Sequence, residues 1–250
     1  MDLFPALAVS LAGSLLARAA GALTSGGAGA AALLGTVVLL ISGWSGAAVL
    51  AAFFLPATLI GRVAVPSRIE TRTAAQVWAN GGPATLGLWF ELARPGLGFW
   101  ILTISLAAAS ADTWATALGS RSPREPRLLG TRRTVPRGTS GGVSTRGTLG
   151  GLAGAVVVAG TGAALMSRPE LLVLGSLIGW GGMFLDSALG AGVQGRFVCP
   201  ACGVPTEQRR HQCGTRTLPE GGWEWLDNNG VNFLATLAAA AAALASFRSG

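Results

Sequence analysis

Eight apolar stretches, each close to the length that crosses a bilayer, make up most of this chain: 3–20, 27–42, 44–61, 74–91, 97–118, 147–166, 170–190 and 231–247. About 20 residues of helix match a hydrocarbon core of about 30 Å. A backbone inside that core must satisfy its own hydrogen bonds, so only helices or a closed barrel can cross it. Half of the 250 residues are hydrophobic and only 12% are charged, about half the charged share of a soluble domain. The 38 glycines suit helices that approach one another through small side chains. The reading is all-α: one polytopic transmembrane helical bundle over 1–250, with about six to eight membrane segments. The second stretch is short enough to be tilted or re-entrant. The fourth is expected to break at Asn80-Gly81-Gly82-Pro83, where proline and glycine disfavour a helix. No basic segment precedes the first apolar run, so a cleaved signal peptide is not expected.

Arginine orients the segments. The loop 62–73 carries three arginines, 119–146 carries seven and 191–230 carries four. Two segments separate the first loop from the second, and two more separate the second from the third. All three therefore fall on one side, which the retention of positive loops makes cytoplasmic. Both termini then lie outside. Arg94, Arg168 and Arg248 are the exceptions that this arrangement leaves on the far side. The high pI of 11.3 would suggest nucleic acid in a soluble protein. Here the loop 119–146, with seven arginines and one glutamate, holds six of the seven net positive charges. That concentration favours topology and phosphate binding, with no nucleic acid partner.

What is missing narrows the chemistry. The 18 basic residues are all arginine, so a phosphate loop ending in Gly-Lys-Ser/Thr and lysine Schiff-base chemistry are both excluded. The single histidine cannot form a paired-histidine zinc protease motif, and it sits among cysteines rather than beside a serine nucleophile.

Three of the four aspartates, Asp112, Asp186 and Asp227, stand near the ends of segments that face the basic loops. A carboxylate at membrane depth is costly and marks a functional candidate. Hard cations such as Mg²⁺ take carboxylate and amide oxygens together with substrate phosphates. Asp112, Asp186 and Asp227 are thus candidate Mg²⁺ ligands and catalytic residues; Asp227 is also well placed to cap the last helix. Thr116 shares a helix face with Asp112. Asn80, Asn228 and Asn232 fall in the same layer, as candidates to orient a substrate phosphate or a metal-bound water.

In the basic loop, Thr134-Val-Pro-Arg-Gly-Thr-Ser-Gly-Gly-Val-Ser144 precedes a helix. Glycine-rich backbone can line an anion site, and the helix N-terminus adds partial positive charge. Gly138, Thr139, Ser140, Gly141, Gly142 and Ser144 would cradle phosphate, and Arg133 and Arg137 would grip it. The plainer alternative is a flexible linker. In the loop 195–222, Cys199, Cys202, His211 and Cys213 use every cysteine and the only histidine. The set suits a closed, tetrahedral, structural Zn²⁺ site in a small zinc-ribbon-like insertion. A disulfide with one spare thiol is the alternative, disfavoured in a reducing compartment. The tryptophans read most simply as interface anchors; Trp223 and Trp225 could instead line a lipid portal.

Several blocks together resemble the integral-membrane family of plant phytyl-phosphate kinase, which includes animal transmembrane protein 19. They are Arg72-Thr-Ala-Ala-Gln-Val-Trp-Ala-Asn-Gly-Gly82, Ala111-Asp-Thr-Trp-Ala-Thr-Ala-Leu-Gly119, Val135-Pro-Arg-Gly-Thr-Ser-Gly-Gly-Val-Ser144, Asp186-Ser-Ala-Leu-Gly190 and Leu226-Asp-Asn-Asn-Gly-Val-Asn232. The resemblance runs from about Gly21 to Leu237. Two positions depart from the family pattern: Ala117 stands where an acid is usual, and Ser140 where Asn or Asp is usual. The resemblance implies a multi-pass protein of the inner membrane with a cytoplasmic active face. It implies an enzyme that transfers a phosphoryl group from CTP or ATP to an isoprenyl monophosphate, giving the diphosphate. A lipid-phosphate cytidylyltransferase and a transporter or flippase of an anionic lipid are the alternatives.

Overall fold

The computed structural model describes residues 1–64 and 71–248. Among the described residues seven α-helices are packed in one bundle: α1 (Leu3–Ala19), α2 (Ser25–Ala64), α3 (Ala74–Gly87), α4 (Leu97–Gly119), α5 (Thr145–Met166), α6 (Pro169–Gly192) and α7 (Asn228–Ser246). A 3₁₀ turn, Leu88–Glu91, extends α3. Among the described residues five helices, α2 and α4 to α7, are long and apolar enough to cross a membrane.

α2 is two crossings rather than one. A straight 40-residue helix would be about 60 Å long, yet the Arg62 guanidinium, near its end, donates to the Ala20 carbonyl just before its start. The reversal is at Gly43, whose φ of 58° and ψ of −148° suit only a residue without a side chain. The second and third apolar stretches are thus antiparallel arms joined through a single residue.

α3 does not break at Asn80-Gly81-Gly82-Pro83 as its sequence suggests; it is continuous from Ala74 to Gly87. Pro83 has no N–H for the Ala79 carbonyl, but the Thr236 hydroxyl of α7 donates to that carbonyl at 2.9 Å. Gly81 and Gly82 let α3 close on its neighbours: a Cβ on Gly81 would lie 3.1 Å from Leu34 of α2. A neighbouring helix therefore repairs the defect, as it must in a membrane.

α4 is the central helix, buried at every residue from Leu97 to Ala111. α5 packs on it through small residues. Added Cβ atoms would come within 2.8 Å of the Ala115 carbonyl at Gly147, 2.8 Å of the Ser110 carbonyl at Gly154 and 2.4 Å of Thr103 at Gly162. α6 meets α4 in the same way, with Gly179 against Ala107 and Gly182 against Ala108. Close backbone approach of this kind is how helices associate where lipid removes the hydrophobic drive. Glu91 covers the exposed start of α4, accepting from the Gly96 N–H at 2.6 Å and the Phe99 N–H at 3.0 Å.

The alternation of helices brings Ala64, the segment 71–73 and the segments 120–144 and 193–227 to one end of the bundle, as the arginine count predicts. Contacts hold them there: Arg121 donates to the carbonyls of Val63 and Ala64, and Arg146 donates to the Arg121 carbonyl at 3.0 Å. Arg68 lies outside the described residues. At the opposite end two of the three exceptional arginines lie over aromatic rings. Arg94 stacks over Phe247 at 4.9 Å, and Arg168 lies 5.4 Å from both Trp100 and Phe247. Arg168 also pairs with Glu170 at 2.6 Å and donates to the Arg248 carbonyl. Ring faces and a carboxylate stabilise these cations locally.

Among the described residues two small antiparallel sheets order the loop end. β1 (Arg127–Leu128) pairs with β2 (Gly142–Val143). β3 (Arg196–Val198) is flanked by β4 (Pro205–Thr206) and β5 (Leu218–Gly221).

Candidate functional site

Asp112 is the first residue of α4 beyond the fully buried stretch, one turn past the level at which Ala108 touches Gly182 of α6. Asp186 lies one turn past Gly182 on α6. The two helices run the same way, so both acids arrive at one depth, near the loop end. The charges of Asp112 and Glu207 both act on Asp186, which places three carboxyl groups in one neighbourhood. Like charges that close together disfavour one another unless a cation or proton intervenes.

Two acceptor oxygens at this level are buried and have no hydrogen-bond partner among the described residues: Asp186 Oδ2 and Asn232 Oδ1. Gly182 faces the Ala235 carbonyl of α7, so Asn232, one turn nearer the loops, comes to the level of Asp186. A buried polar atom left unpaired is costly. Carboxylate and amide oxygens are the donors a hard divalent cation takes, so the residues present fit such an ion. Asp227 differs. It is exposed, and its carboxylate accepts from the Gly230 N–H at 2.9 Å as the N-cap of α7. Asn228 is exposed at the first turn of that helix, Asn80 is half-buried on α3, and Thr116 is exposed beyond Asp112.

The glycine-rich segment does not hang free. Gly138 and Gly141 hold positive φ, 87° and 79°. Gly141 sits directly on the end of α6, where a Cβ would meet the Ala191 Cβ at 2.5 Å. The Thr139 hydroxyl donates to the Pro136 carbonyl at 2.8 Å, and the Gly142 N–H to the Thr139 carbonyl at 3.0 Å. Ser144 is the N-cap of α5, its hydroxyl accepting from the Gly147 N–H at 3.1 Å. Arg137 donates to the Ser122 carbonyl at 2.8 Å, while Arg133 is exposed. A cavity of about 370 Å³ opens between the β1–β2 hairpin and the start of α5. Arg127, Leu129, Thr131, Ser144 and Leu149 are among its walls, and neither Asp112 nor Asp186 lines it.

The cysteine loop forms the four-residue cluster its spacing predicts. The ligand atoms of Cys199, Cys202, His211 and Cys213 all lie within 4.8 Å of one another. Cys199 Sγ is 3.6 Å from Cys213 Sγ, and His211 Nδ1 is 3.1 Å from Cys213 Sγ. Tetrahedral zinc with bonds of about 2.3 Å holds sulfurs about 3.8 Å apart, whereas a disulfide holds them at about 2.05 Å. The cysteines are free thiols, and the group can bind a metal ion such as zinc. Hydrogen bonds with Thr215 and His211 pull the Cys213 thiol down to about 5. Those to Cys213 and Cys199 push Cys202 up to about 11, as in thiols sharing one negative charge.

Glu207 and Gln194 carry no motif in the sequence and emerge only from the fold. Ser140 donates to Glu207 Oε1, and Gln194 Nε2, on a residue only 1% exposed, donates to Glu207 Oε2 at 2.8 Å. The one available signal was the departure at Ser140, a hydroxyl that needs an acceptor.

Comparison with known proteins agrees with this architecture. A family model described as integral membrane protein DUF92 matches residues 8–240. An uncharacterized membrane protein of Methanocaldococcus jannaschii is 29% identical over 199 residues, covering 76% of this chain and 82% of its own length. An uncharacterized membrane protein of Synechocystis sp. is 29% identical over 261 residues, 96% of this chain and 91% of that protein. Protein PGR of Arabidopsis thaliana is 35% identical over 147 residues, 52% of this chain and 48% of PGR. No solved structure matches the chain.

Proposed function

Because this chain belongs to the integral membrane protein family DUF92, we propose that it is a membrane kinase whose site is built from the acids and glycine-rich loop at one end of the bundle. It transfers a phosphoryl group from CTP or ATP to an isoprenyl monophosphate, giving the diphosphate. The observation that carries this reading is the Asp112–Asp186 pair at one membrane depth, with Asp186 Oδ2 buried and unpartnered beside a docked, arginine-flanked loop. The resemblance of the sequence blocks supports the choice of isoprenyl phosphate as acceptor.

Asp112 and Asp186 would hold Mg²⁺, with Asn232 as a further oxygen donor. The ion, when bound, neutralises charge on the phosphate oxygens. The backbone of Gly138–Gly142 and the exposed Arg133 guanidinium bind the triphosphate, and the α5 N-terminus adds favourable partial charge. An oxygen of the acceptor monophosphate attacks the γ-phosphorus. The bond to the β–γ bridging oxygen breaks, and the nucleoside diphosphate leaves. That acceptor oxygen is already ionised near neutral pH, so no strong general base is required, and phosphoryl transfer rests on positioning and charge neutralisation. Asp227 serves by capping α7 and so placing Asn232. The site's position at one end, rather than at the midplane as in carriers, suits chemistry on a soluble nucleotide from the cytoplasm.

The test is incubation of the purified protein with Mg²⁺, CTP or ATP, and a panel of isoprenyl monophosphates, read by mass spectrometry. The expected product gains one phosphoryl group. A gain of CMP would make the protein a cytidylyltransferase, and no covalent change with any acceptor would remove the kinase reading. Asp112→Asn should reduce turnover at least about 100- to 1,000-fold with its thermal transition retained.

A further inference from the structure

The metal-binding loop is an insertion with no evident part in phosphoryl transfer, yet one of its side chains reaches the glycine-rich loop. Glu207 follows β4, eight residues past Cys199. One carboxylate oxygen accepts from Ser140 in the glycine-rich loop, and the other accepts from Gln194 just past the end of α6. Gln194 is itself locked in place. Its N–H donates to the Leu189 carbonyl at 3.0 Å, and its backbone pairs with Trp223. The glycine-rich loop and the end of α6 therefore meet on a single carboxylate.

The surrounding geometry shows what that junction holds. Gly141, next to Ser140, rests on Ala191, and a Cβ on Gly190 would lie 3.1 Å from the Gly141 nitrogen and 3.2 Å from Ser140 Cβ. The glycine-rich loop thus lies on the last turn of α6, the helix that carries Asp186. Its other hydrogen bonds, from Leu129 to the Gly141 carbonyl and from Arg137 to the Ser122 carbonyl, run within the same 120–144 segment. The Ser140–Glu207 bond fastens it to a different one.

We propose that Glu207 is a positioning residue: it clamps the glycine-rich loop onto the end of α6, so that metal held by Cys199, Cys202, His211 and Cys213 sets the place of the phosphate-binding backbone relative to Asp186. The docking itself is independent of the kinase reading. Its consequence for nucleotide binding rests on that reading.

Limited proteolysis of the full-length protein tests the docking without any substrate. Trypsin cuts after arginine, and Arg133 and Arg137 lie in the loop that Glu207 secures. The rate of cleavage after Arg137, followed by mass spectrometry, should rise at least fivefold in Glu207→Ala and in Ser140→Ala, with zinc content and thermal transition as in the parent. Removing the metal with a chelator should raise it similarly. Glu207→Gln should restore protection, because its amide can donate to Ser140 while its oxygen accepts from Gln194. Unchanged cleavage in Glu207→Ala at full zinc content would overturn the proposal, and so would loss of protection in Glu207→Gln equal to that in Glu207→Ala. In turnover assays, Glu207→Ala should raise the nucleotide KM at least fivefold with kcat within twofold. A protein with no kinase activity would fail that arm while leaving the proteolytic result standing.

Discussion

Two glycines in the basic loop share a backbone conformation but not their surroundings, and substituting each separates strain from docking. Gly138 and Gly141 have φ of 87° and 79°, where an alanine costs about 1–2 kcal/mol. A Cβ on Gly138 would meet nothing within 4 Å. On Gly141 it would lie 2.5 Å from Ala191 Cβ and 2.7 Å from both Ala191 Cα and nitrogen. The obstacle is helix backbone, so no side-chain rotation relieves it, and overpacking of this kind adds about 1–3 kcal/mol. That extra cost falls only on the docked loop. If docking builds the phosphate site, Gly141→Ala should weaken nucleotide binding roughly 5- to 150-fold more than Gly138→Ala does. The assay is titration of each purified variant with a fluorescent ATP or CTP analogue in Mg²⁺, at matched zinc content. Equal affinities of the two variants would refute the reasoning, because the contact with α6 would then be irrelevant to phosphate binding.

The purified protein should contain one zinc per chain by elemental analysis, and Cys199→Ser should lose it; a full zinc complement in that variant would exclude Cys199 as a ligand. Cysteines introduced at Thr131 and Ser167 should react with a membrane-impermeant maleimide from opposite sides of oriented vesicles, Thr131 from the cytoplasmic side. Labelling of both from one side would contradict the crossing pattern. Glu91→Ala removes the cap of α4 and should lower the thermal midpoint, at a cost of about 0.5–2 kcal/mol, with Glu91→Gln intermediate. An unchanged midpoint in Glu91→Ala would show that those two bonds contribute nothing net.

The crossings were legible in the sequence because apolar length and arginine placement follow from the physics of the bilayer itself. The error at Asn80-Gly81-Gly82-Pro83 shows where such reading stops. Local preference favours a break there, and only the three-dimensional arrangement reveals that Thr236, more than 150 positions away, supplies the lost hydrogen bond. Cys199, Cys202, His211 and Cys213 were readable as a set because thiol and imidazole are scarce in this chain and metal geometry fixes their spacing. Asp112 and Asp186 stood out by the cost of charge at depth. Glu207 did not, since an acid in a polar loop is ordinary until the fold shows what it touches. Residue type alone leaves Ser144 and Asp227 ambiguous, because the residues that bind phosphate or metal also cap helices; Asp227 caps α7 as its position before that helix suggests, and Ser144 caps α5.

The hairpin inside α2 has a consequence for parity. A bend without reversal at Gly43 would leave the polypeptide with an odd tally of passages, and everything downstream would emerge into the opposite compartment. The arginine clusters and both intramembrane aspartates would then open toward the other side of the membrane. One amino acid lacking a Cβ, more than 60 positions from the nearest of those aspartates, thus determines which solution they sample.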